Sequence, residues 1–417
     1  MSRAQHRILS RRRFLICAGS AAAAGLVAAC GGSSGDDEPE PGTPGPGGLT
    51  PAPTATPTSP SAPGATPTAT TPPSLTLEEM AGQMLLLGFQ GTELSPANPI
   101  YEDITQRHIG GVVLFSSDLP SGGKRNIASP EQVAALTAQL QEAAGSGLIV
   151  ATDEEGGLVA RLDETHGFPP TKSAAELGAM GDPAATEQAA SAMAATLKAA
   201  GVNLNLAPVV DLNTNPNNPV IGALGRSFGS DPQAVTAQAE AFLEGHHQHG
   251  ILTCLKHFPG HGSSAGDTHA GFVDVTNSWD PVELDPYRAL IGEGAADTVM
   301  VAHVFNANLD QQYPASLSNA VITGMLRGHL GFGGVVVSDD MEMGAITQQW
   351  AFRDAIRLAI LAGNDLLTYG NNLDAYRPDL GARVHSTIVD LVKAGDIPEE
   401  RIRQSYERVQ ALRARLA

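Results

Sequence analysis

Residues 251–269 read Ile251-Leu-Thr-Cys-Leu-Lys-His-Phe-Pro-Gly-His-Gly-Ser-Ser-Ala-Gly-Asp-Thr-His269. The run from Ile251 to Leu255 is short and apolar, the pattern of a strand buried on both faces. It stops at Lys256 and His257, and Pro259 and Gly260 neither continue a strand nor start a helix. The loop beyond holds His261, Asp267 and His269. Packing gives a surface loop no reason to collect so many titratable groups, so chemistry is expected at this strand's end.

Outward from this strand, similar apolar runs alternate with longer helical patterns. Strands are predicted at 85–89, 111–115, 148–152, 203–207, 252–257, 298–303, 335–338 and 365–369. Amphipathic stretches at 130–144, 184–200, 231–249, 281–294 and 348–362 lie between them, and 402–416 supplies a final helix. Ser129-Pro130 and Asp280-Pro281 have the form of a cap followed by proline at the first helical position. Eight strand–helix units predict a (β/α)8 barrel of the TIM type over residues 75–417. The alternative is an open doubly wound sheet, but no glycine-rich phosphate fingerprint follows the first strand.

A barrel places catalytic groups at the C-terminal ends of its strands. Polar residues gather there: Asp153, Glu154 and Glu155 after the third strand, Asp211 and Arg226 beyond the fourth. Lys256 and His257 end the fifth, His303 the sixth, and Asp339 and Asp340 follow the seventh. Scattered core polar residues would not favour one end of so many strands.

Ahead of the barrel, residues 1–29 have the form of an export signal. Arg3, Arg7 and Arg11 to Arg13 precede an Ala-rich apolar run from Phe14 to Ala29, too short to span a bilayer comfortably. Ser10-Arg-Arg-Arg-Phe-Leu15 resembles a twin-arginine signal, and Val27-Ala-Ala-Cys30 resembles a bacterial lipobox, which implies acylation of Cys30. An ordinary signal peptide with a chance cysteine is the alternative. Residues 30–74, from that cysteine through a Gly-, Ser-, Pro- and Thr-rich stretch, bury too little apolar surface to fold and predict a tether. The expected layout is an extracytoplasmic lipoprotein of the cell envelope, held to the membrane through an N-terminal lipid anchor.

The net charge of −19 argues against nucleic acid as a partner, because phosphates require a basic face. Of three cysteines, Cys17 leaves with the signal and Cys30 carries lipid, so Cys254 has no disulfide partner in the body.

Six spaced motifs now carry a resemblance: Asp153-Glu-Glu-Gly-Gly-Leu-Val-Ala-Arg161, Asn205-Leu-Ala-Pro-Val-Val-Asp211, Gly225-Arg-Ser-Phe228, Lys256-His-Phe-Pro-Gly-His-Gly262, Asp267-Thr-His269 and Ser338-Asp-Asp-Met-Glu-Met343. In this order they resemble glycoside hydrolase family 3, and most closely its bacterial β-N-acetylhexosaminidase branch, which acts on cell-wall fragments. The resemblance implies retaining exo-hydrolysis of terminal β-linked N-acetylglucosamine from an oligosaccharide or glycopeptide, with no cofactor and no metal. It assigns Asp339 as nucleophile, His269 as acid/base and Asp267 as its orienting carboxylate. A retaining mechanism needs such a pair, and a histidine beside a carboxylate can donate and accept the proton in turn. Asp339 or Asp340 is also expected to cap the following helix, and Asp340 is the alternative nucleophile. Sugar contacts are implied for Asp153, Arg161, Arg226, Lys256 and His257, with Glu155 and His303 supporting them.

Three departures from the family pattern stand out. Ser263-Ser264 replaces an Asp-Thr pair, Thr268 replaces Ser, and Leu158 stands where Arg is common. Many family 3 β-glucosidases draw an acid/base carboxylate from a second domain. With the chain ending at Ala417, none is expected here, so a loop histidine takes that role. Other readings stay open: a family 3 β-glucosidase, a glycoside phosphorylase, a metal-dependent barrel hydrolase using His257, His261, His269, His303 and Asp339, or a sugar-binding lipoprotein without catalysis.

Overall fold

A computed structural model describes residues 75–416. The predicted signal, the lipobox with Cys30 and the tether lie outside the described residues. Eight parallel strands form one sheet: β1 (Leu85–Gly88), β2 (Gly111–Leu114), β3 (Ile149–Thr152), β4 (Leu204–Asn205), β5 (Leu252–Phe258), β6 (Thr298–Val301), β7 (Val335–Ser338) and β8 (Leu367–Tyr369). Each pairs with its sequence neighbour, and β1 also pairs with β8 through Leu85 opposite Leu367. Val337 bridges Leu366, and Ser338 N–H donates to Leu366 O at 2.9 Å, so β7 meets the start of β8 and the sheet closes into a barrel.

Alternation along the strands divides the core in two. Leu86, Val113, Ile149, Ala151, Cys254 and Val337 fill the barrel interior. Leu85, Leu87, Val112, Val150, Leu255 and Val336 face the surrounding helices. Both sets are buried, as continuous apolar strand sequences require, and each fully buried Leu or Val contributes about 1.5–3 kcal/mol. Val409 and Leu412 of the last helix, Glu399–Arg413, belong to the interior set and stop the N-terminal end of the barrel. Arg413 Nε holds Gly147 O at 2.5 Å ahead of β3, and Arg415 pairs with Asp297 ahead of β6. The opposite end is left for the site.

The helices start as the sequence dictates. Ser129, Asp182, Asp231 and Asp280 each precede a proline and accept a first-turn N–H, from Gln132, Ala184, Ala234 and Val282. Helix Pro130–Ala144 has the predicted bounds. The stretch predicted at 281–294 divides into a tight turn, Pro281–Leu284, and a helix, Asp285–Gly292. The stretch predicted at 348–362 is helical only from Phe352 to Ala362. Strand β6 ends at Val301, short of the predicted His303; the chain resumes at Val304–Phe305, which pairs with Val273–Asp274 from the loop after β5. A helix at Ala320–His329 and a hairpin of Glu154–Gly156 with Val159–Ala160 were not expected from the sequence.

Candidate active site

A cavity of about 380 Å³ opens at the C-terminal end of the barrel. Its floor is polar because strands β3, β5 and β7 end in charged residues there. Asp153, Arg161, Arg226, Lys256, His257, His269 and Asp339 all line it, as seven of the eight predicted chemical residues. Asp267, the eighth, touches the site through His269.

Lys256 extends from the end of β5, buried, with Nζ 2.7 Å from Asp153 Oδ1 and 2.7 Å from Glu155 Oε1. Burial alone would lower the Lys256 pKa, but the two carboxylates push it above its ordinary value. Arg226 grips Glu155 with two bonds of 2.7 Å, from Nε to Oε2 and from an amino nitrogen to Oε1. Burial opposes ionisation of Glu155, yet Arg226 and Lys256 hold its carboxyl well below the usual range. Arg161 lies 3.6 Å from Asp153 and stacks over Phe115, its position set by the hairpin after β3. Glu154 closes that hairpin by accepting the N–H groups of Arg161 and Leu162 at 2.8 Å each. Arg226 therefore pairs with Glu155 rather than with Asp211. Asp211 serves His257 instead.

The His257 Nδ1–H donates to Asp211 Oδ2 at 2.7 Å, and Nε2 accepts from Arg226 at 3.3 Å. The other Asp211 oxygen accepts the His261 N–H at 2.8 Å, so one carboxylate fixes both the ring and the start of the loop. The peptide Lys256–His257 is cis, as is Phe258–Pro259.

Asp339 follows β7. Its Oδ1 accepts the Asp340 N–H at 2.8 Å, and no bond engages Oδ2 among the described residues. Burial would raise its pKa, but His303, His257 and His269 bring it down to about 2. Asp340 Oδ1 accepts the Glu342 N–H at 3.0 Å and closes a turn, but the helix that follows, Gly344–Thr347, has Met343 at its N-cap and no side-chain cap, so neither Asp339 nor Asp340 caps it as expected. Burial first, and Glu342 next, push the Asp340 carboxyl up. His303 is fully buried, with Nδ1 2.6 Å from Ser316 Oγ and Nε2 donating to Asp340 O at 3.0 Å, so it braces the backbone beside Asp339.

His269 Nδ1 lies 2.8 Å from Asp267 Oδ1, and the same oxygen accepts the His269 N–H at 2.8 Å. The imidazole is half exposed, at 51 %, on the mouth of the cavity. Thr268 and Ser264, two of the departures from the family pattern, bind the buried His261 ring at 3.2 Å and 2.8 Å. Burial pushes His261 down to about 4, so the loop packs on a neutral ring. The residues of the metal-hydrolase reading are not arranged as a ligand set: His257, His261 and His303 each have both ring nitrogens engaged by protein partners. Among the described residues no group of three His, Cys, Asp or Glu side chains is placed to hold a metal ion.

Sequence reasoning missed the wall made by Thr368 of β8 and by the loops after β2 and β8, where Phe115, Leu119, Asn372 and Leu373 line the cavity. The buried Arg125 joins these loops through Asp118 at 2.8 Å, Asn372 Oδ1 at 3.0 Å and Asn371 O at 2.7 Å. Asn371-Asn372, just past a strand end, was the available signal.

Comparison with known proteins places these features in context. The profile of the glycosyl hydrolase family 3 N terminal domain matches residues 76–412. A β-hexosaminidase of Xylella fastidiosa is 40% identical over 294 residues, which span 68% of this chain and 82% of the relative. The structure of a family 3 β-N-acetylglucosaminidase from a Paenibacillus species superposes with a TM-score of 0.75 at 36% identity, covering 82% of this chain and 63% of that one. A β-N-acetylhexosaminidase from Beutenbergia cavernae gives a TM-score of 0.72 at 32% identity, over 82% of this chain and 99% of that one.

Proposed function

The chain belongs to glycosyl hydrolase family 3 and is a glycoside hydrolase of the β-N-acetylhexosaminidase kind; from that premise we propose that it releases terminal β-linked N-acetylglucosamine from cell-wall or related glycans with retention of configuration. One observation carries the reading: an ionised carboxylate with a free oxygen, Asp339, shares a cavity with a histidine oriented by a carboxylate, His269 on Asp267. In glycosylation, Asp339 Oδ2 attacks the anomeric carbon while the protonated His269 gives its proton to the leaving oxygen. The covalent glycosyl-Asp339 is then hydrolysed by a water that His269 deprotonates, which frees the carboxylate and restores the imidazolium. Asp153, Arg161, Lys256 and His257 present polar atoms on the floor for sugar hydroxyls, and the Lys256–Glu155–Arg226 network holds them in place.

The test is the anomer first released. Proton NMR of an aryl N-acetyl-β-glucosaminide digest is expected to show β-N-acetylglucosamine before mutarotation, and Asp339→Asn to abolish turnover. A 2-fluoro sugar should label Asp339. Release of the α-anomer, or label on Asp340 or Asp153, would overturn the assignment.

The sequence motif supports a further part of the reading, that the mature protein is an envelope lipoprotein anchored through an acylated Cys30. Among the described residues no helix is long and apolar enough to cross a membrane. Mass spectrometry of the native protein should find a diacylglyceryl Cys30 at the N-terminus; an unmodified Cys30 would refute the anchor.

A further inference from the structure

Two motif residues have no part in the reading above: Glu154, between the cavity-lining Asp153 and Glu155, and Asn205, which ends β4. Neither lines the cavity, and both are buried. The Asn205 side chain pairs with the Glu154 backbone twice: its Oδ1 accepts the Glu154 N–H at 3.0 Å, and its Nδ2 donates to Glu154 O at 2.8 Å. Nδ2 also donates to His246 Nε2 at 3.0 Å. His246, on the helix Pro232–His247, is fully buried and stacks on Phe242 with ring centroids 4.3 Å apart. Its Nδ1 lies 2.9 Å from Phe242 O, which can only accept, so Nδ1 carries the proton and Nε2 receives the amide. Burial pushes the ring down to about 4, which keeps it neutral. A surrounding helix thereby fixes the orientation of Asn205, and Asn205 fixes Glu154.

Glu154 Oε2 accepts the N–H groups of Arg161 and Leu162 at 2.8 Å each, which closes the hairpin of Glu154–Gly156 with Val159–Ala160. The tip residue, Leu158, is 74% exposed, so the hairpin gains little packing at that end. Beyond its backbone, Arg161 is lightly held: one ion pair at 3.6 Å to Asp153, the Phe115 ring, and a buried Nε with no partner among the described residues. Glu154 Oε1 is likewise buried and without a partner there, and a bare polar atom costs about 1–3 kcal/mol. Stability alone does not account for a carboxyl at this position. Resting on the reading that Arg161 presents to the sugar, we propose that Glu154, oriented by Asn205 and His246, is a positioning residue: it fixes the root of Arg161 so that the guanidinium meets the sugar hydroxyls. Burial pushes the Glu154 carboxyl up to about 7, so the two bonds to Oε2 do not depend on a charge.

The experiment measures kcat and KM of the full chain for 4-nitrophenyl N-acetyl-β-glucosaminide in a double-mutant cycle. Glu154→Ala should raise KM roughly tenfold and leave kcat within about twofold, because the Arg161 contact is made in the ground state and the transition state alike. Glu154→Gln keeps an oxygen for the two N–H groups, so its KM should stay within about twofold of the wild type. His246→Leu removes the acceptor that orients Asn205 and should raise KM about two- to fivefold. It lies outside the cavity and carries the test alone should Glu154→Ala fail to fold. In an Arg161→Ala background both variants should change kcat/KM by less than about twofold, since their effect passes through the missing side chain. Unaltered KM in the two variants, or equal losses with and without Arg161, overturns the inference and leaves the glycosidase reading intact. A Glu154→Gln protein as damaged as Glu154→Ala does the same. An Arg161→Ala protein with unchanged KM overturns the sugar contact and this inference together. Absence of hydrolysis by the wild type overturns the glycosidase reading as well.

Discussion

The Gly344 N–H donates to the His269 carbonyl oxygen at 3.0 Å, and Ala345 does the same to Thr268. The loop after β5 and the turn after β7 are thus joined backbone to backbone, and the two groups of the proposed mechanism are held on one frame. A methyl on Gly344 would lie 2.8 Å from His269 O and 2.9 Å from Ala270 C, closer than real contacts allow.

Gly344→Ala should therefore displace the loop by a few tenths of an ångström or more. Overpacking of this kind costs about 1–3 kcal/mol, and misplaced reacting groups lose up to about a hundredfold in rate. The expected outcome is a large loss of kcat with a cooperative thermal transition preserved. A variant with unchanged kcat would show that the backbone join does not set the geometry.

Lys256→Met removes the ammonium that bridges Asp153 and Glu155, 2.7 Å from each, and leaves their carboxylates to Arg161 and Arg226. Breaking a buried pair by deleting one partner costs about 3–5 kcal/mol. Tm should fall by several degrees at pH 7 and the deficit should shrink as the pH drops below 4. The sign follows from both carboxyls having folded pKa values below their unfolded ones, so their stabilisation exists above the unfolded pKa and is lost as they protonate. A deficit that grows in acid would contradict this.

The barrel was legible because parallel strands buried on both faces leave apolar runs that end where the sheet ends. Lys256-His257 and Asp339 mark such ends and mark the site with them. The loops carry no such period. Leu119 and Asn372 line the cavity although 253 residues separate them, and only closure of β1 on β8 brings them together. Leu158 could be seen as a departure from a motif, but its exposure could not. Arg226 illustrates a different limit: its charge implied a carboxylate partner, and Asp211, the nearer in sequence, was not it. Three-dimensional position gave it Glu155 and gave Asp211 to His257.

Glu283 offers a pH test outside the reacting groups. It lies buried beneath the catalytic loop, close enough to Gly260 that a Cβ there would meet its Oε2 at 2.6 Å, and burial pushes its carboxyl up to about 7. Between the unfolded value near 4.5 and about 7 the folded protein holds a proton that the unfolded chain has lost, so stability falls as pH rises through that window. Glu283→Gln keeps the shape of the protonated acid and removes the titration. The variant should gain in Tm relative to the wild type from pH 4.5 to 7, then hold a constant difference. A difference independent of pH would mean that Glu283 is ionised in the fold throughout.

His269 gives the most discriminating prediction, because loss of an acid/base must hurt according to how much help the leaving group needs. Departure of a poor leaving group requires a proton in the transition state, and general acid catalysis supplies roughly a hundred- to ten-thousandfold. Dinitrophenolate leaves unaided, so His269→Ala should nearly spare glycosylation by its glycoside. Deglycosylation still lacks its base, so the glycosyl-Asp339 should accumulate in a burst. Azide, which attacks without deprotonation, should restore turnover and appear as the β-glycosyl azide. Asp267→Ala should show a milder form of the same pattern: Asp267 Oδ1, 2.8 Å from His269 Nδ1, only orients and polarises the ring. A histidine that merely held the loop would affect all leaving groups alike, since the same misplacement would slow every glycosylation. Equal losses on dinitrophenyl and alkyl glycosides, with no azide product, would therefore remove His269 from the chemistry and leave it a loop residue on the rim of the cavity.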